Sequence, residues 1–256
     1  MLTRNEHFED LAPMASRTNT LTLTRLEKAA ADCGFERSPK HVDGGLLLSS
    51  AQFPESVSVK LKDDTRFIVS ASSPTILSRT QWSDEVGHIT GWDELYNLLE
   101  LAAASARNLP NRVAQKFTEL TIAMPRSTEV ERFVVQRVGQ DLFRSALLDF
   151  WGNACCITGL AIPELLKASH IKPWAQCDSD EERLDVFNGL LLAPHLDALF
   201  DGGWLTVEDT GRVRFSTQIA GVAMEQLGLP QMLEVGGLSK AHFPYLAYHR
   251  EEIFKG

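Results

Sequence analysis

The sequence predicts an α+β protein of two domains. Three observations indicate this class. The first 110 or so residues combine two helical patterns with short alternating strands, a helix with a capping box follows, and two short apolar segments then precede another helix. We place an N-terminal α+β domain at 1–118. A second domain, at 119–256, has its core at about 155–203.

The composition is that of a globular protein, with 44% hydrophobic and 23% charged residues. No apolar run approaches the roughly 18 to 20 residues of a membrane helix, and the first residues lack the apolar segment of a signal peptide. We therefore expect a cytoplasmic protein with no membrane partner. The four cysteines form no Cys-x-x-Cys pair, which predicts free and mostly buried thiols: Cys33, Cys155, Cys156 and Cys177.

The net charge of −9 argues against a protein whose whole surface binds DNA, because phosphate contacts come from Lys and Arg. A local basic face can still occur on a protein whose remaining surface is acidic.

The first domain is predicted to contain two helices around a small antiparallel sheet. Leu and Ala recur at helical spacing in each helix, and Gly34 is placed to end the first. The strands alternate apolar and polar residues. The predicted helices are 20–33 and 92–107, and the predicted strands are 44–50, 56–61 and 66–70. Arg79, Trp82 and Trp92 could stack on a nucleic-acid base, although packing is the expected role of these aromatic residues.

A connector with a short helical segment, 109–125, leads to the second domain. Thr128 and Glu131 then form a capping box that opens a helix reaching about Trp151. We expect one apolar face, formed by Val130, Val134, Val138, Leu142, Ala146 and Phe150. The opposite side is expected to be solvated, with phosphate contact from Arg137 or Arg144 as the alternative.

The segments 165–171 and 188–193 are short and apolar, and a long acidic loop separates them. Pro194 allows a helix at about 195–200, because proline is tolerated in a first turn. Two strands and a helix therefore bring together four polar residues: His170, Asn188, Asp197 and Asp201. A hairpin over 204–216 and an aromatic, basic tail over 240–255 follow, and we expect the tail to pack on this core.

These four residues suit the hydrolysis of a phosphodiester. The reaction needs a base for water and a cation for the charge that grows on the phosphate. His170 can be that base, since a neutral imidazole is available near pH 7. Asn188 can orient the imidazole or hold the strands in register. Asp197 and Asp201, at i and i+4, can reach one hard cation.

The arrangement resembles the HNH endonucleases and their ββα-metal motif. The resemblance covers about residues 126–216 and extends to the tail as far as Lys255. It is carried by four segments in order: Gln140-Asp141-Leu142-Phe143-Arg144, Cys156-Ile157-Thr158-Gly159, Ala168 to Trp174 and Asn188 to Leu192. It implies that His170 is the general base and that Asn188 is the structural asparagine.

The same resemblance implies the metal ligands. Asp197 stands where many members have their final histidine, and Asp201 lies four residues further on, which favours Mg²⁺ or Mn²⁺ over zinc. His195 could supply a nitrogen ligand. Ser169 stands where many members have Asp or His next to the base, which leaves the ion with fewer protein ligands.

The resemblance thus implies a metal-dependent DNA endonuclease of a restriction or phage-defence system. Arg137, Arg144 and Lys172 are its predicted nucleic-acid contacts. We expect the N-terminal domain to recognise the target or regulate access, and a homodimer or a partner protein from the defence system is considered. The alternative is a catalytically silent HNH fold that binds DNA or regulates another protein.

Overall fold

The computed structural model describes residues 20–77, 86–219, 225–230 and 232–256. Its helices and strands confirm the predicted α+β class. Buried hydrophobic side chains form two separate clusters, one from residues 26–106 and the other from residues 113–246. The described residues therefore form two cores, as the length of the chain allows.

A five-stranded antiparallel sheet, with its strands in sequence order, forms the first core together with two helices. One face of the sheet is apolar and buried, because Val57 and Val59 alternate with the polar residues of their strand. Both helices contribute to the same cluster. The elements are α1 (Thr20–Asp32), β1 (Lys40–Val42), β2 (Gly45–Ser49), β3 (Ser56–Leu61), β4 (Arg66–Ala71), β5 (Val86–Thr90) and α2 (Trp92–Arg107).

The predicted helices and the three predicted strands of this unit are confirmed, but β1 and β5 were not predicted. Trp92 is a packing residue: it is buried, its ring meets Phe67 edge-on at 4.9 Å, and its Nε1 donates to the carbonyl of Asp64. Arg79 and Trp82 lie outside the described residues.

Helix α3 (Pro110–Thr121) is the helical segment predicted within the connector, and it spans most of it. It contributes Val113, Ala114 and Phe117 to the second cluster, although it precedes residue 119. Asp149 joins the two units, because its carboxylate accepts two hydrogen bonds from Arg107, at 2.7 and 2.9 Å.

Helix α4 (Glu129–Phe150) begins at the predicted capping box, in which Thr128 Oγ1 accepts from the Glu131 amide. Its predicted apolar face is partly wrong, because Val130 and Val134 are 73% and 50% exposed. The buried face is rotated from the predicted one and consists of Val135, Gly139, Phe143, Ala146, Leu147 and Phe150. Periodicity alone did not separate the two faces, since apolar residues occur on both.

The second core also contains two short hairpins and the C-terminal segment. Its elements are β6 (Lys167–His170), α5 (Asp180–Arg183), β7 (Gly189–Leu192), α6 (Pro194–Asp201), β8 (Leu205–Val207), β9 (Val213–Phe215) and α7 (Phe243–Tyr248). A π-helical turn, His249–Ile253, continues α7. The predicted packing of this tail is confirmed, because Leu246 and His249 are buried.

The four cysteines are free, as predicted, and three of them are buried. Within the described ranges, no helix is both long and apolar enough to cross a membrane.

Candidate active site

The β6–β7 hairpin places His170 at the end of β6, opposite Gly189 at the start of β7. Helix α4 packs against both strands. A Cβ atom at position 189 would lie 2.6 Å from Phe143 Cζ and 2.7 Å from Leu147 Cδ1. Glycine therefore allows α4 to approach β7 closely, which holds the end of the hairpin against the helix.

The imidazole of His170 is fixed on three sides. Phe143 stacks on it, with ring centroids 3.8 Å apart and an interplanar angle of 17°. Trp174 meets it edge-on at 5.6 Å. The Nε2–H of His170 donates to the carbonyl oxygen of Arg183 at 2.8 Å. Because a carbonyl only accepts, this bond assigns the proton to Nε2 and leaves Nδ1 as an acceptor.

Burial lowers the pKa of His170 to about 4. An apolar environment disfavours the imidazolium, and the bond to Arg183 offsets only part of this effect. The ring is therefore neutral at physiological pH, which is the protonation state that a general base needs.

Asn188 closes the loop between the two strands. Its side chain is fully buried, and its Oδ1 accepts from the Lys172 amide at 2.8 Å. Its Nδ2 donates to the carbonyls of Lys172 and Glu182, both at 3.2 Å, and contacts Cys177 Sγ at 3.4 Å. Asn188 was expected either to orient the imidazole or to hold the strands in register. These contacts favour the second role, because they hold the hairpin and its loop together.

The side chain of Arg183 braces the same loop. Its guanidinium donates to the carbonyls of Trp174 and Cys177, at 3.3 and 2.5 Å, and pairs with Asp180 at 3.0 Å. These bonds hold the Arg183 backbone where its carbonyl meets His170.

Two carboxylates lie one turn apart on α6, which packs against β6. The Ser169 hydroxyl donates to Asp201 Oδ1 at 3.1 Å and lies close enough to Asp197 to oppose the rise in the pKa of that carboxyl. Partial burial raises the pKa of both carboxyls, and the charge of Asp197 raises that of Asp201 further. The two negative groups are thus close enough to repel each other.

This donor set fits a hard divalent cation, which carboxylate and hydroxyl oxygens suit and which would relieve the repulsion. In the part of the chain that the structure describes, no group of three His, Cys, Asp or Glu is arranged to hold a metal. His195, in the first turn of α6, is therefore not brought together with Asp197 and Asp201 as a third ligand. Two aspartates would leave several coordination positions for water and phosphate oxygens.

His170 lines two clefts that meet at β6. One, of about 390 Å³, is also lined by Ser169, Trp174 and Asp201. The other, of about 420 Å³, lies between α4 and β6, and its wall includes Arg137 and Lys167. We call the two clefts together the groove beside His170. Asp201 lines one part of it, and the other part is lined by the acidic Asp141 and Glu164 together with basic residues: Arg137, Arg144 and Lys167.

The three predicted nucleic-acid contacts differ in their surroundings. The side chain of Arg137 is 68% exposed and pairs with Asp141 at 3.6 Å. Arg144 donates to the carbonyls of Pro163 and Leu166, at 2.7 and 2.5 Å.

Lys172, the third of them, pairs with Glu182 at 2.7 Å and with Asp178 at 3.5 Å. Its hydrogen bond and charge interaction with Glu182 raise the pKa of Lys172. Of the three residues, Arg137 is therefore the one whose positive charge is most available to a ligand in the groove.

Several residues of the site were not predicted. Phe143 was quoted as part of a motif, but its role as the stacking partner of His170 depends on the rotation of α4. Lys167, which lines the groove, was taken only as part of a strand. The carbonyl of Arg183 carries no sequence signal, because any residue has one.

A strand pair followed by a helix, with a half-buried neutral histidine on the first strand and paired carboxylates on the helix, is the arrangement expected of a ββα-metal nuclease. The family comparison agrees: residues 155–208 match the family described as HNH endonuclease. The match is confined to this segment, which is similar to the HNH endonucleases. No curated protein matches the chain. The similarity indicates a nuclease-type function, for which DNA is the implied substrate.

Proposed function

We propose that the protein is a metal-dependent endonuclease that hydrolyses DNA phosphodiester bonds with His170 as the general base. The observation that carries the proposal is the bond from His170 Nε2–H to Arg183. It leaves Nδ1 of a neutral imidazole as an acceptor in a residue that shares a cleft with Asp201.

The chain's own residues account for each step of the hydrolysis. His170 Nδ1 accepts a proton from water, the water oxygen bonds to phosphorus, and the bond from phosphorus to the 3′ oxygen breaks. The 3′ oxygen leaves with the electron pair of that bond and takes a proton from solvent. Asn188 and Arg183 keep the loop and the imidazole in place. Asp197 and Asp201 would hold Mg²⁺ or Mn²⁺, which supplies positive charge to the phosphate and to the departing oxygen.

The groove beside His170 is where we place the DNA strand. Arg137 and Lys167 line its α4 side and supply positive charge for phosphates that flank the bond to be cut. Arg144 forms hydrogen bonds within the fold, and Lys172 forms ion pairs within it. We therefore propose that both residues stabilise the fold in addition to contacting DNA.

Plasmid cleavage with Mg²⁺ or Mn²⁺ tests the assignment of the base. We expect wild type and His41→Ala, a control at an exposed histidine of β1, to cut the plasmid. His170→Ala should lose at least about 100-fold in rate, in line with the usual contribution of a general base. Equal rates for wild type and His170→Ala would overturn the assignment.

Calorimetry tests the metal ligands. Asp201→Asn should weaken Mn²⁺ binding by at least about tenfold, because a charged ligand becomes neutral, while Asp43→Asn, in the exposed β1–β2 turn, should not. His195→Ala measures whether that histidine adds to the affinity. Unchanged binding by Asp201→Asn would remove that residue from the site.

A catalytically silent DNA-binding module is the second candidate. Ser169 beside the base and the lack of a third ligand among the described residues favour it. DNA binding that persists without divalent ions, together with no detectable Mn²⁺ binding, would select this candidate.

The same proposal includes a restriction or phage-defence role, target recognition or regulation by the N-terminal unit, and a homodimer. The dimer is supported by an exposed apolar strip on the first turns of α4, formed by Val130, Phe133 and Val134. Sedimentation of wild type against Phe133→Glu tests it, since a monomeric wild type would exclude it. The defence-system partner is proposed on the family resemblance.

A further inference from the structure

A second polar pair lies behind the loop that carries Arg183. Tyr245, on α7, donates its hydroxyl to Asp185 Oδ2 at 2.9 Å. The other carboxylate oxygen, Oδ1, accepts from the Phe187 amide at 2.8 Å. Burial raises the pKa of this carboxyl to about 6, so its charge depends on these hydrogen bonds for compensation. The hydrolysis described above makes no use of the pair.

The pair is connected to the base through a short and well-packed segment. Asp185 is two residues from Arg183, and Leu184 between them is fully buried, with its amide bonded to the carbonyl of Asp180 at 3.0 Å. The carbonyl of Asp185 accepts from the Asn188 amide at 2.9 Å. A shift of Asp185 would therefore move the Arg183 carbonyl on one side and Asn188 on the other.

We propose that Tyr245 and Asp185 are positioning residues for the general base, an inference that rests on the proposed nuclease function. Tyr245 holds Asp185, Asp185 holds the backbone from Arg183 to Asn188, and the Arg183 carbonyl sets the tautomer and orientation of His170. The C-terminal helix α7 thereby contributes to activity although neither residue touches the imidazole.

Electrostatics explain why the tyrosine hydroxyl matters here. The negative charge of Glu182 also acts on Asp185 and makes its ionised form less favourable. Without the Tyr245 hydroxyl, the carboxylate loses one of its donors and is expected to turn toward solvent. A displacement of about 1 Å at a reacting group can cost up to about 100-fold in rate, so even a small shift of the loop should be measurable.

Tyr245→Phe is the first test, with Tyr248→Phe as its matched control. Both changes remove one hydroxyl from α7, and the ring of Tyr248, 5.6 Å from Lys172 Nζ, is retained by phenylalanine. We expect Tyr245→Phe to lower kcat by about tenfold, within the range for a misplaced reacting group, with little change in KM. The control should keep the wild-type kcat. Equal kcat values for the two variants would overturn the inference.

The imidazole itself supplies a readout that does not need cleavage. A long-range ¹H–¹⁵N spectrum distinguishes the two neutral tautomers of a histidine. Wild type and Tyr248→Phe should show His170 protonated at Nε2, whereas Tyr245→Phe should show a mixture or an altered Nε2 shift. An unchanged His170 signal in Tyr245→Phe would contradict the inference.

These two readouts also separate this inference from the proposed function. If wild type does not cut DNA but the His170 signal changes only in Tyr245→Phe, the nuclease proposal fails and the positioning of His170 stands. If wild type cuts DNA and neither readout changes, the positioning inference alone is wrong.

Asp185→Asn completes the test through a double-mutant cycle with Tyr245→Phe. If both residues act through their mutual hydrogen bond, the double variant should lose no more activity than the more damaging single variant. Fully additive losses would mean that the two side chains do not act together.

Discussion

The phenyl ring of Phe143 lies parallel to the imidazole of His170, with their centroids 3.8 Å apart. Phe143 comes from α4 and His170 from β6, so the contact exists only when the long helix and the hairpin are assembled. It covers one face of the imidazole with an apolar surface and removes water from it. The consequence is an imidazole that stays neutral and keeps one orientation.

The first prediction concerns the titration of His170. An NMR pH titration should give a midpoint of about 4, because burial disfavours the imidazolium. Phe143→Leu should move the midpoint upward, since water then reaches the ring. As the base acts only when it is deprotonated, its contribution to cleavage should be lost as the pH falls through about 4. A midpoint of 6.5 in wild type would show that the ring is solvated.

The second prediction concerns Asn188. Asn188→Ala should lower the free energy of unfolding by about 2 to 4 kcal/mol, because several buried backbone partners lose their hydrogen bonds. Urea denaturation measures this. Asn111→Ala, at an exposed position of α3, is the control and should change the free energy by less than about 0.5 kcal/mol. A similar small loss for Asn188→Ala would mean that water replaces the amide.

Much of the fold could be predicted because the local signals were strong. The capping box at Thr128 and the alternation around Val57 mark the start of α4 and the strand β3, and both are observed. Strand β1 has only three residues, too few to show a period. Helix α3 was predicted only as a short helical segment within a connector, since its buried side faces a core that lies later in the sequence.

The sequence patterns predicted which residues form the candidate site, but not the contacts that these residues make. The spacing of Asp197 and Asp201 places both on one side of α6, and helical geometry ensures this. The bonds of Arg144 and the pairing of Lys172 with Glu182 depend on how loops fold back, so a sequence pattern shows only that these residues are basic. The backbone carbonyl that orients His170 is likewise a property of the folded loop.

The third prediction concerns the close approach at Gly189. Gly189→Ala should destabilise the fold by about 1 to 3 kcal/mol, the usual cost of overpacking. The new Cβ atom would lie 2.6 Å from Phe143 Cζ, so the phenyl ring must move away from His170 and cleavage should slow.

Gly236→Ala is the matched control for Gly189→Ala, since a Cβ atom there meets nothing within 4 Å. Thermal unfolding and plasmid cleavage measure the two effects. If both variants resemble wild type in the two assays, α4 is less tightly packed on β7 than the structure indicates.

The fourth prediction concerns acid stability and His249. This histidine is buried, its ring stacks on Phe200 at 3.9 Å, and its Nδ1 lies 2.9 Å from Thr206 Oγ1. Burial lowers its pKa to about 4, whereas the unfolded chain has the ordinary value of about 6.5. Between these values the unfolded state binds the extra proton, so stability should fall as the pH falls from 6.5 to 4.

The size of this effect follows from the shift. At pH 4.5, His249 alone should cost about 2 to 3 kcal/mol relative to pH 7. Asp185 acts in the opposite direction as the pH falls through about 6, because its raised pKa favours proton uptake by the folded state.

Urea denaturation at the two pH values should show a smaller loss of stability on acidification in His249→Phe than in wild type. Thr206→Val removes the same hydrogen bond without a titrating group, so it should lower stability equally at both pH values. Equal pH dependence in wild type and His249→Phe would mean that this imidazole is not kept neutral by the fold.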